Sequence, residues 1–395
     1  YAQLPDRFIF ASEIKAILAA GVQPVANFHK VGEFLRWGAL DYSSETWFEG
    51  IYSLPAGHCL TLEEGQLTTK SYYYLPDHVD ESVPIGLNEA SECFSSLLKD
   101  ALALQIRSDR QVGVHLSGGV DSSVVTAIAA ASYPGKLTTY TFGYEEELYD
   151  ERPFAEGVAK AIGVSNHSSV LCIDDVATWL PRTIREEDEP FTSFRQLSHH
   201  KLYADFAEDG STVILEASAG DECGAGYSSY LWSWYLDQVK VDGPSKSKDA
   251  LVKMAKSIGM GGKFLLQFLL GSAANYEQPG VCTSDGIPYL DPAVLNPEFV
   301  KTYGKACLSY PKPFKSNLRN FQFIDLMYTK LPRGLRYIER ASMASSREAR
   351  LPLLDHRIVE LGFSAENSAK IGGGHLRRFM KDAARTLLPG DLLDP

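Results

Sequence analysis

Val112-Gly113-Val114-His115-Leu116-Ser117-Gly118-Gly119-Val120-Asp121-Ser122-Ser123 starts as an apolar run, turns at a Gly-Gly pair and runs into the helix-forming stretch Val124 to Ala131. That order reads as a strand, a tight loop and a helix N-terminus. The first N–H groups of a helix have no intrahelical partner and the helix dipole is positive there, so an anion is best held at this point. Gly118 and Gly119 let the backbone approach a ligand that a Cβ would block. Ser117, Ser122 and Ser123 add hydroxyl donors. Asp121 would repel a bare phosphate, so a divalent cation between the two is implied. The plain alternative is an ordinary strand-turn-helix corner. Against it stands the gathering of two glycines, an acid and three serines where a phosphate would need them.

The rest of the chain sets limits on that reading. Its 395 residues leave room for two domains, and 45% hydrophobic content supports real cores. A formal net charge of -12 and a pI near 5.3 make nucleic acid and anionic membranes poor partners. Six cysteines form no C-x-x-C pair, so reduced thiols in a cytoplasmic protein are expected and a zinc site is not. No apolar run is long enough to span a membrane. The first residue is Tyr1 and no signal peptide follows, so the chain reads as part of a longer product.

Residues 1–80 read as mixed α and β. Phe8-Ile9-Phe10 suggests a short buried strand, Ser12 to Leu18 a helix stopped by Gly21, and Val31 to Trp37 another. Ile51 to Leu62 reads as a turn entering a strand, with a hairpin turn at Glu63-Glu64-Gly65-Gln66. Pro76 to Gly86 is turn-rich, and the boundary is placed there, giving domains 1–80 and 81–395. Asn88 is the expected N-cap of a helix reaching Arg107, with a buried stripe at Ala90, Phe94, Leu97, Ala101 and Leu104. Strands are expected at Val112, Leu137 to Phe142, Ser169 to Cys172 and Val213 to Leu215. Helices are expected at Glu151 to Ile162, Val176 to Ile184 and Ser198 to Ala207. This alternation implies an α/β fold with a doubly wound parallel sheet, whose ligands lie at the carboxyl ends of the strands. Added helices are expected at Leu231 to Val239, Leu251 to Ser257, Leu318 to Lys330, Ser342 to Ser345, His356 to Phe363 and Arg378 to Leu387. Loops are expected at Asp242 to Lys248 and Gln278 to Pro292.

A second site, Leu215-Glu216-Ala217-Ser218-Ala219-Gly220-Asp221-Glu222-Cys223-Gly224-Ala225-Gly226-Tyr227, leaves the end of the last of these strands. Asp221 could join Asp121 around Mg²⁺ held by phosphates; otherwise the loop is a glycine-rich surface turn.

The Ser-Gly-Gly-x-Asp-Ser loop resembles that of N-type ATP pyrophosphatases and lacks the lysine of a Walker A loop. Leu335-Arg336-Tyr337-Ile338-Glu339-Arg340-Ala341-Ser342-Met343-Ala344, followed by Glu348-Ala349-Arg350-Leu351-Pro352-Leu353-Leu354-Asp355, narrows this to the synthetase domain of asparagine synthetases. Asp221-Glu222, Asp150-Glu151 and Glu189-Pro190 fit the same pattern. Phe10-Ala11-Ser12-Glu13-Ile14-Lys15-Ala16 and Leu54-Pro55-Ala56-Gly57-His58 resemble the end of that family's N-terminal glutaminase domain. The resemblance implies an adenine nucleotide alpha hydrolase-like sheet with added C-terminal helices, preceded by part of an α+β Ntn-type glutaminase domain. It implies an amide-forming ligase that adenylates a small-molecule carboxylic acid with ATP and Mg²⁺, releases pyrophosphate and transfers ammonia from glutamine; a homodimer is compatible with it. By position, Leu116 and Phe142 would flank the adenosine. Ser117, Gly118, Gly119, Asp121, Ser122, Ser123, Glu216, Ala217 and Asp221 would hold nucleotide, with Asp121 and Asp221 on the metal. Arg377, Glu339 and Lys381 fall at the catalytic positions.

The chain departs from the family in three places. The glutaminase nucleophile would lie upstream of Tyr1. Glu216 to Ala219 replaces a loop richer in glycine, adding Cβ atoms and a negative charge near AMP. Arg377 stands where the family has a lysine, keeping the charge but unable to move a proton in a useful range; it reads otherwise as a solvated helix residue beside Arg378. These departures leave two other functions open: ring closure by an amine of the substrate itself, as in β-lactam synthetases and lasso-peptide cyclases, and a nucleotide-binding subunit without synthetase activity. Among the remaining residues, Arg195 is a candidate partner for a substrate carboxylate. His199 and His200 read as polar or partly buried, Trp232, Trp234 and Tyr235 as core, Cys223 as a small buried thiol, and Glu186 to Glu189 as a solvated face with Glu189 alone a site candidate.

Overall fold

The computed structural model describes residues 1–146, 150–261, 295–303 and 308–393. The expected loop Gln278 to Pro292, Cys282 and Cys307 lie outside the described residues. The chain forms two compact units, one of residues 1–81 and 228–333, the other of residues 82–227 and 334–395.

In the first unit, Glu64 and Gly65 both take positive φ and join the antiparallel strands His58–Glu63 and Gln66–Ser71, the mirror-turn geometry that matches strand twist. The helix Phe28–Trp37 opens on Asn27, whose side chain accepts from the N–H groups of His29 and Lys30, and stops at left-handed Gly38. Only Phe8–Ile9 of the first expected strand is paired, with Ala2–Gln3, and Phe10 is exposed rather than buried. The expected loop Asp242 to Lys248 is also corrected. Gly243 breaks the chain after the helix Tyr230–Asp242, and Pro244 opens a second helix, Pro244–Ser257. Proline's fixed φ suits the first helical turn, where its missing N–H removes no bond. Trp234 is core, as expected.

Asp237 ties this unit's helices together. Its carboxylate accepts from Ser316 Oγ at 2.6 Å, Asn317 N at 2.8 Å, Asn317 Nδ2 at 2.8 Å and Leu318 N at 3.0 Å, capping the helix Asn317–Met327. Burial pushes the Asp237 carboxyl up, and these bonds outweigh it, leaving it below its ordinary value. A depressed carboxylate contributes stability above its unfolded pKa of about 4, and that contribution is lost as pH falls through the folded value. Asp237→Ala strands several buried donors and is expected to destabilise the unit by about 3 kcal/mol at pH 7. The deficit should shrink below pH ~4, as denaturant titration at the two pH values would read.

The second unit carries the sheet. Its elements are α1 (Leu87–Gln105), β1 (Val112–His115), α2 (Val120–Ser132), β2 (Thr138–Tyr144), α3 (Arg152–Ile162), β3 (Ser165–Leu171), α4 (Val176–Glu187), α5 (Arg195–Glu208), β4 (Val213–Leu215) and the short α6 (Gly220–Gly224). Then come α7 (Lys330–Ala344, completed in this unit), β5 (Glu348–Arg350), α8 (His356–Ser364), α9 (Asn367–Lys370) and α10 (Arg378–Ala384). The strands order as β3-β2-β1-β4-β5, all parallel. This is the α/β doubly wound arrangement, with the order reversing on either side of β1.

Alternation along the strands sends successive side chains to opposite faces. Leu116 packs with Ala155, Val158 and Ala159 of α3 on one face. Tyr140, Phe142 and Ile214 pack with Leu202, Tyr203 and Phe206 of α5 and Ile338 and Ala341 of α7 on the other. Helix α1 is capped at Gly86, not Asn88, which lies within the first turn. Its buried face is Ala90, Phe94, Leu98, Ala101 and Leu102, while Leu104 is exposed. Ser342 to Ser345 proves to be the end of the longer α7.

Candidate active site

Both site loops leave neighbouring strand ends. Val114 pairs with Leu215, so the loops after β1 and β4 begin side by side at the carboxyl edge. Gly118 sits at φ +79°, and a Cβ there would fall 2.6 Å from the Ala155 nitrogen and 2.7 Å from the Phe154 Cβ. Gly119, at φ -70° and ψ 162°, caps α2, where its carbonyl starts the helix. Ser117 Oγ and Ser122 Oγ lie 2.9 Å apart, and the Ser117 N–H donates to Ser122 Oγ at 3.1 Å. These two hydroxyls line the loop together. Ser122 and Ser123 are both buried and both donate to the Gly119 carbonyl, at 3.2 and 2.7 Å, so each hydroxyl serves the helix start, and of the two Ser122 also meets the Ser117 hydroxyl.

The second loop turns through Ala219 at φ +84° and enters α6. A Cβ on Gly220 would run into the Asp121 carboxylate, and one on Gly226 into that of Asp221. These two glycines therefore allow the acids to lie close over the loops. Arg377 holds the acids from α10. It occupies the left-handed region at φ +53° as the α10 N-cap. Its Nη1 lies 2.9 Å from Asp121 Oδ2 and 2.8 Å from Asp221 Oδ1, and its buried Nε has no hydrogen-bond partner among the described residues. Burial raises the Asp121 carboxyl, Arg377 pulls it down and Asp221 pushes it up again, leaving it near about 6. Burial weakens the charged form of Arg377, but Asp121 and Asp221 outweigh it and keep the guanidinium protonated.

The donor set suits a magnesium ion in kind, because Mg²⁺ is commonly held by one or two carboxylates and the phosphates of its nucleotide. Asp121 and Asp221 would hold it. In this structure the same oxygens carry the Arg377 guanidinium, so cation and guanidinium are alternatives at this point. The unpaired Nε–H leaves Arg377 a donor for an anion when it moves.

Several expected residues lie elsewhere. Leu116 and Phe142 are both buried, on opposite faces of the sheet, so their side chains do not form one adenosine slot. Strand alternation is the reason. Glu216 is also buried; it points into the sheet and accepts from Tyr203 Oη at 2.5 Å and His115 Nδ1 at 2.9 Å. Its charge is met inside the fold rather than presented to AMP. Ala217 is half-buried on the loop. Lys381 follows Arg377 by one turn of α10 and its charge reaches Asp121. Glu339 is exposed on α7, on the side of Tyr203 rather than at the acid pair.

Arg195 is exposed and lies over the Phe142 ring at 5.0 Å. Burial, with Arg195 and His115 nearby, drives His199 well below its ordinary value, and its buried Nδ1 has no hydrogen-bond partner among the described residues. The acidic run Glu186 to Glu189 is not a solvated face. Glu187 is fully buried and is met by Gln196 Nε2, His200 Nε2 at 3.1 Å and Arg336 Nη1 at 3.0 Å. His200 Nδ1 reaches Glu186 at 2.8 Å. These bonds join α4, α5 and α7. Cys223 is buried, and burial raises its thiol, as suits a packing residue and not a nucleophile.

Sequence reasoning missed Tyr203 and the role of His115. An ionisable residue inside an otherwise apolar strand was the available signal, because such a group needs a buried partner. The partner lay 101 residues away.

Fold and loops together define a doubly wound α/β protein with a phosphate-type loop facing an acid pair at the switch point of its sheet. Residues 94–394 match the Asparagine synthase family and residues 1–73 the Glutamine amidotransferase domain, and the chain belongs to the asparagine synthase family. Asparagine synthetase [glutamine-hydrolyzing] 1 of Bacillus subtilis is 24% identical over 100% of this chain and 62% of its own length. Putative asparagine synthetase [glutamine-hydrolyzing] 2 of Methanocaldococcus jannaschii is 30% identical over 60% of this chain and 46% of its own. Amidase chry2 of Gibberella zeae is 21% identical over 91% of this chain and 58% of its own. The chain thus spans at most about three-fifths of the length of these relatives. Among the described residues, no helix is long and apolar enough to cross a membrane.

Proposed function

We propose that this chain is the synthetase-bearing part of a glutamine-dependent carbon–nitrogen ligase. Residues 1–80 are the C-terminal part of its type 2 glutamine amidotransferase domain, and residues 81–395 the ATP-dependent synthetase domain. The observation that carries this reading is Arg377 joining Asp121 and Asp221 across the two loops at adjacent strand ends.

A substrate carboxylate oxygen attacks the α-phosphorus of ATP. A bond forms between carboxylate oxygen and phosphorus, and the α–β bridging bond breaks to release pyrophosphate. Ammonia then adds to the activated carbonyl, a proton leaves and AMP departs, giving the amide. A carboxylate is a poor electrophile, and adenylation turns its oxygen into a good leaving group. The α2 N-terminus with Ser117 and Ser122 binds phosphate oxygens, and Gly118 permits the close approach. Asp121 and Asp221 would hold Mg²⁺, which would offset phosphate charge. Arg377 then supplies positive charge at the acyl phosphate, holding the reactants in line. As Arg377 cannot accept a proton, the proton goes to solvent or another base. We place the protein in the cytoplasm, a reading that the four cysteines free of disulfides among the described residues support.

The Arg377 position favours one second reading, in which the nucleophile is an amine of the substrate itself. Pyrophosphate release measured with ATP against aspartate and a panel of carboxylic acids, with and without ammonia, separates the two. The ligase reading expects acid-dependent release and an amide product that needs ammonia. Release without ammonia, with loss of water between two groups of one acid, supports ring closure. ATP binding with no release on any acid would leave a nucleotide-binding subunit.

A further inference from the structure

We propose that Glu216 is a positioning residue whose buried bonds to His115 and Tyr203 form a strut beneath the two site loops. His115 ends β1 and Glu216 directly follows β4. The Val114 and Leu215 register places them opposite one another one residue beyond the last paired positions. Glu216 Oε2 lies 2.9 Å from His115 Nδ1, and Glu216 Oε1 accepts from Tyr203 Oη at 2.5 Å. The Glu216 N–H donates to the Arg350 carbonyl at 2.8 Å, which fixes its backbone to β5. Ser117 lies two residues beyond His115, and Asp221 five beyond Glu216. The strut therefore joins the roots of both loops and braces them against α5.

Apolar and aromatic groups enclose it. The Phe142 ring lies 5.1 Å from His115, and Tyr203 belongs to the cluster of Phe142, Phe206, Ile214 and Ile338. A carboxylate in such a place is retained only with its oxygens satisfied, because an unpaired buried acceptor is strongly penalised. The ionisable groups nearby are His199, His200, Arg195 and, from α7, Glu339. None is recorded in a hydrogen bond to Glu216, so the two donors of the strut carry its position. The role rests on the proposed reaction only for its kinetic consequence.

Tyr203→Phe removes one oxygen from within the cluster and leaves residues 117–122 and 217–221 themselves unaltered, and Glu216→Ala removes the centre of the strut. Hydrogen exchange of the nucleotide-free protein is expected to rise at least about tenfold in residues 117–122 and 217–221 together in both variants, while exchange in α8 stays unchanged. Glu216→Gln, which still offers an acceptor to Tyr203 and a donor to His115, should recover most of the protection. A rise confined to 217–221, or no rise in Tyr203→Phe, would overturn the strut. In the ATP reaction both weakened variants should raise KM for ATP more than they lower kcat. A weakened KM in Glu216→Ala with an unaltered one in Tyr203→Phe would make Glu216 a direct ligand and likewise overturn the proposal. The exchange result stands even if the wild-type protein releases no pyrophosphate, so failure of the reaction reading and failure of the strut are separable.

Discussion

Gly118→Ala is expected to weaken ATP binding by about 100-fold or more, while Gly119→Ala, one residue on, changes it by no more than about threefold. A 100-fold change corresponds to about 2.7 kcal/mol. The difference comes from backbone and neighbours. Gly118 lies at φ +79°, where an L-residue is strained, and its added methyl would meet the start of α3 at the Ala155 nitrogen and Phe154. Backbone cannot yield as a flexible side chain can. Strain of about 1–3 kcal/mol from φ adds to about 1–3 kcal/mol of overpacking. The loop or α3 must shift, and the N–H groups that face the phosphates shift with them. Gly119 has φ -70°, and the nearest atom to its added Cβ is Ser117 Oγ at 3.4 Å. Calorimetric titration with ATP, with melting curves to verify folding, measures both. Equal losses in the two variants would show that the loop is not held as described.

The second large effect is expected at Arg377. Arg377→Leu leaves Asp121 and Asp221 facing one another with their shared cation gone. The side chains of Arg377, Asp121 and Asp221 are 20%, 14% and 30% exposed, so the loss of stability is smaller than for a fully buried pair; pyrophosphate release should fall by at least about 100-fold, because the positive charge at the reacting phosphate is gone. Arg377→Lys keeps the charge without the planar fork and should recover part of the rate. Arg377→Leu should also make the nucleotide-free protein bind Mn²⁺ about tenfold more tightly at pH 8, because no cationic side chain competes for the carboxylates; at ε ≈ 20 a unit-charge contact at such distances is worth more than about 1.4 kcal/mol. Removing Arg377 also removes the influence that lowers Asp121, so its carboxyl should rise above about 6 and protons should compete with the metal as pH falls toward 6. Electron paramagnetic resonance of bound Mn²⁺ reads this without turnover. A Leu variant with wild-type turnover and wild-type Mn²⁺ affinity would return Arg377 to an ordinary helix-end residue.

The strands β1 and β4 are legible because each is a mostly apolar run, which is how a doubly covered parallel strand reads, and β2 because its threonines and aromatic residues suit a strand. β5 was not. Glu348-Ala349-Arg350 has charged ends and lies at the sheet edge, so its strand state comes from pairing with β4 and not from its composition. Pro244 was taken for loop chemistry, though proline also opens helices. Glu186 and Glu187 looked solvated because four acids stood in a row. Their partners, His200, Gln196 and Arg336, belong to other helices. The same limit applied to Glu216, whose charge reads as exposed until Tyr203 and His115 are placed beside it.

Local sequence alone determined the phosphate-type loop, its strand and helix, and the pairing of acid-bearing loops with a parallel sheet, since turn chemistry and apolar runs act over a few residues. Tertiary structure alone decided which loop groups face outward. It separated Gly118 from Gly119, turned Ser123 and Glu216 inward, put Leu116 and Phe142 on opposite faces and brought Arg377 across 256 residues to Asp121. Those outcomes depend on strand register, on what packs against each Cβ and on where a buried charge finds its partner, and none of these is a property of a residue and its neighbours in sequence.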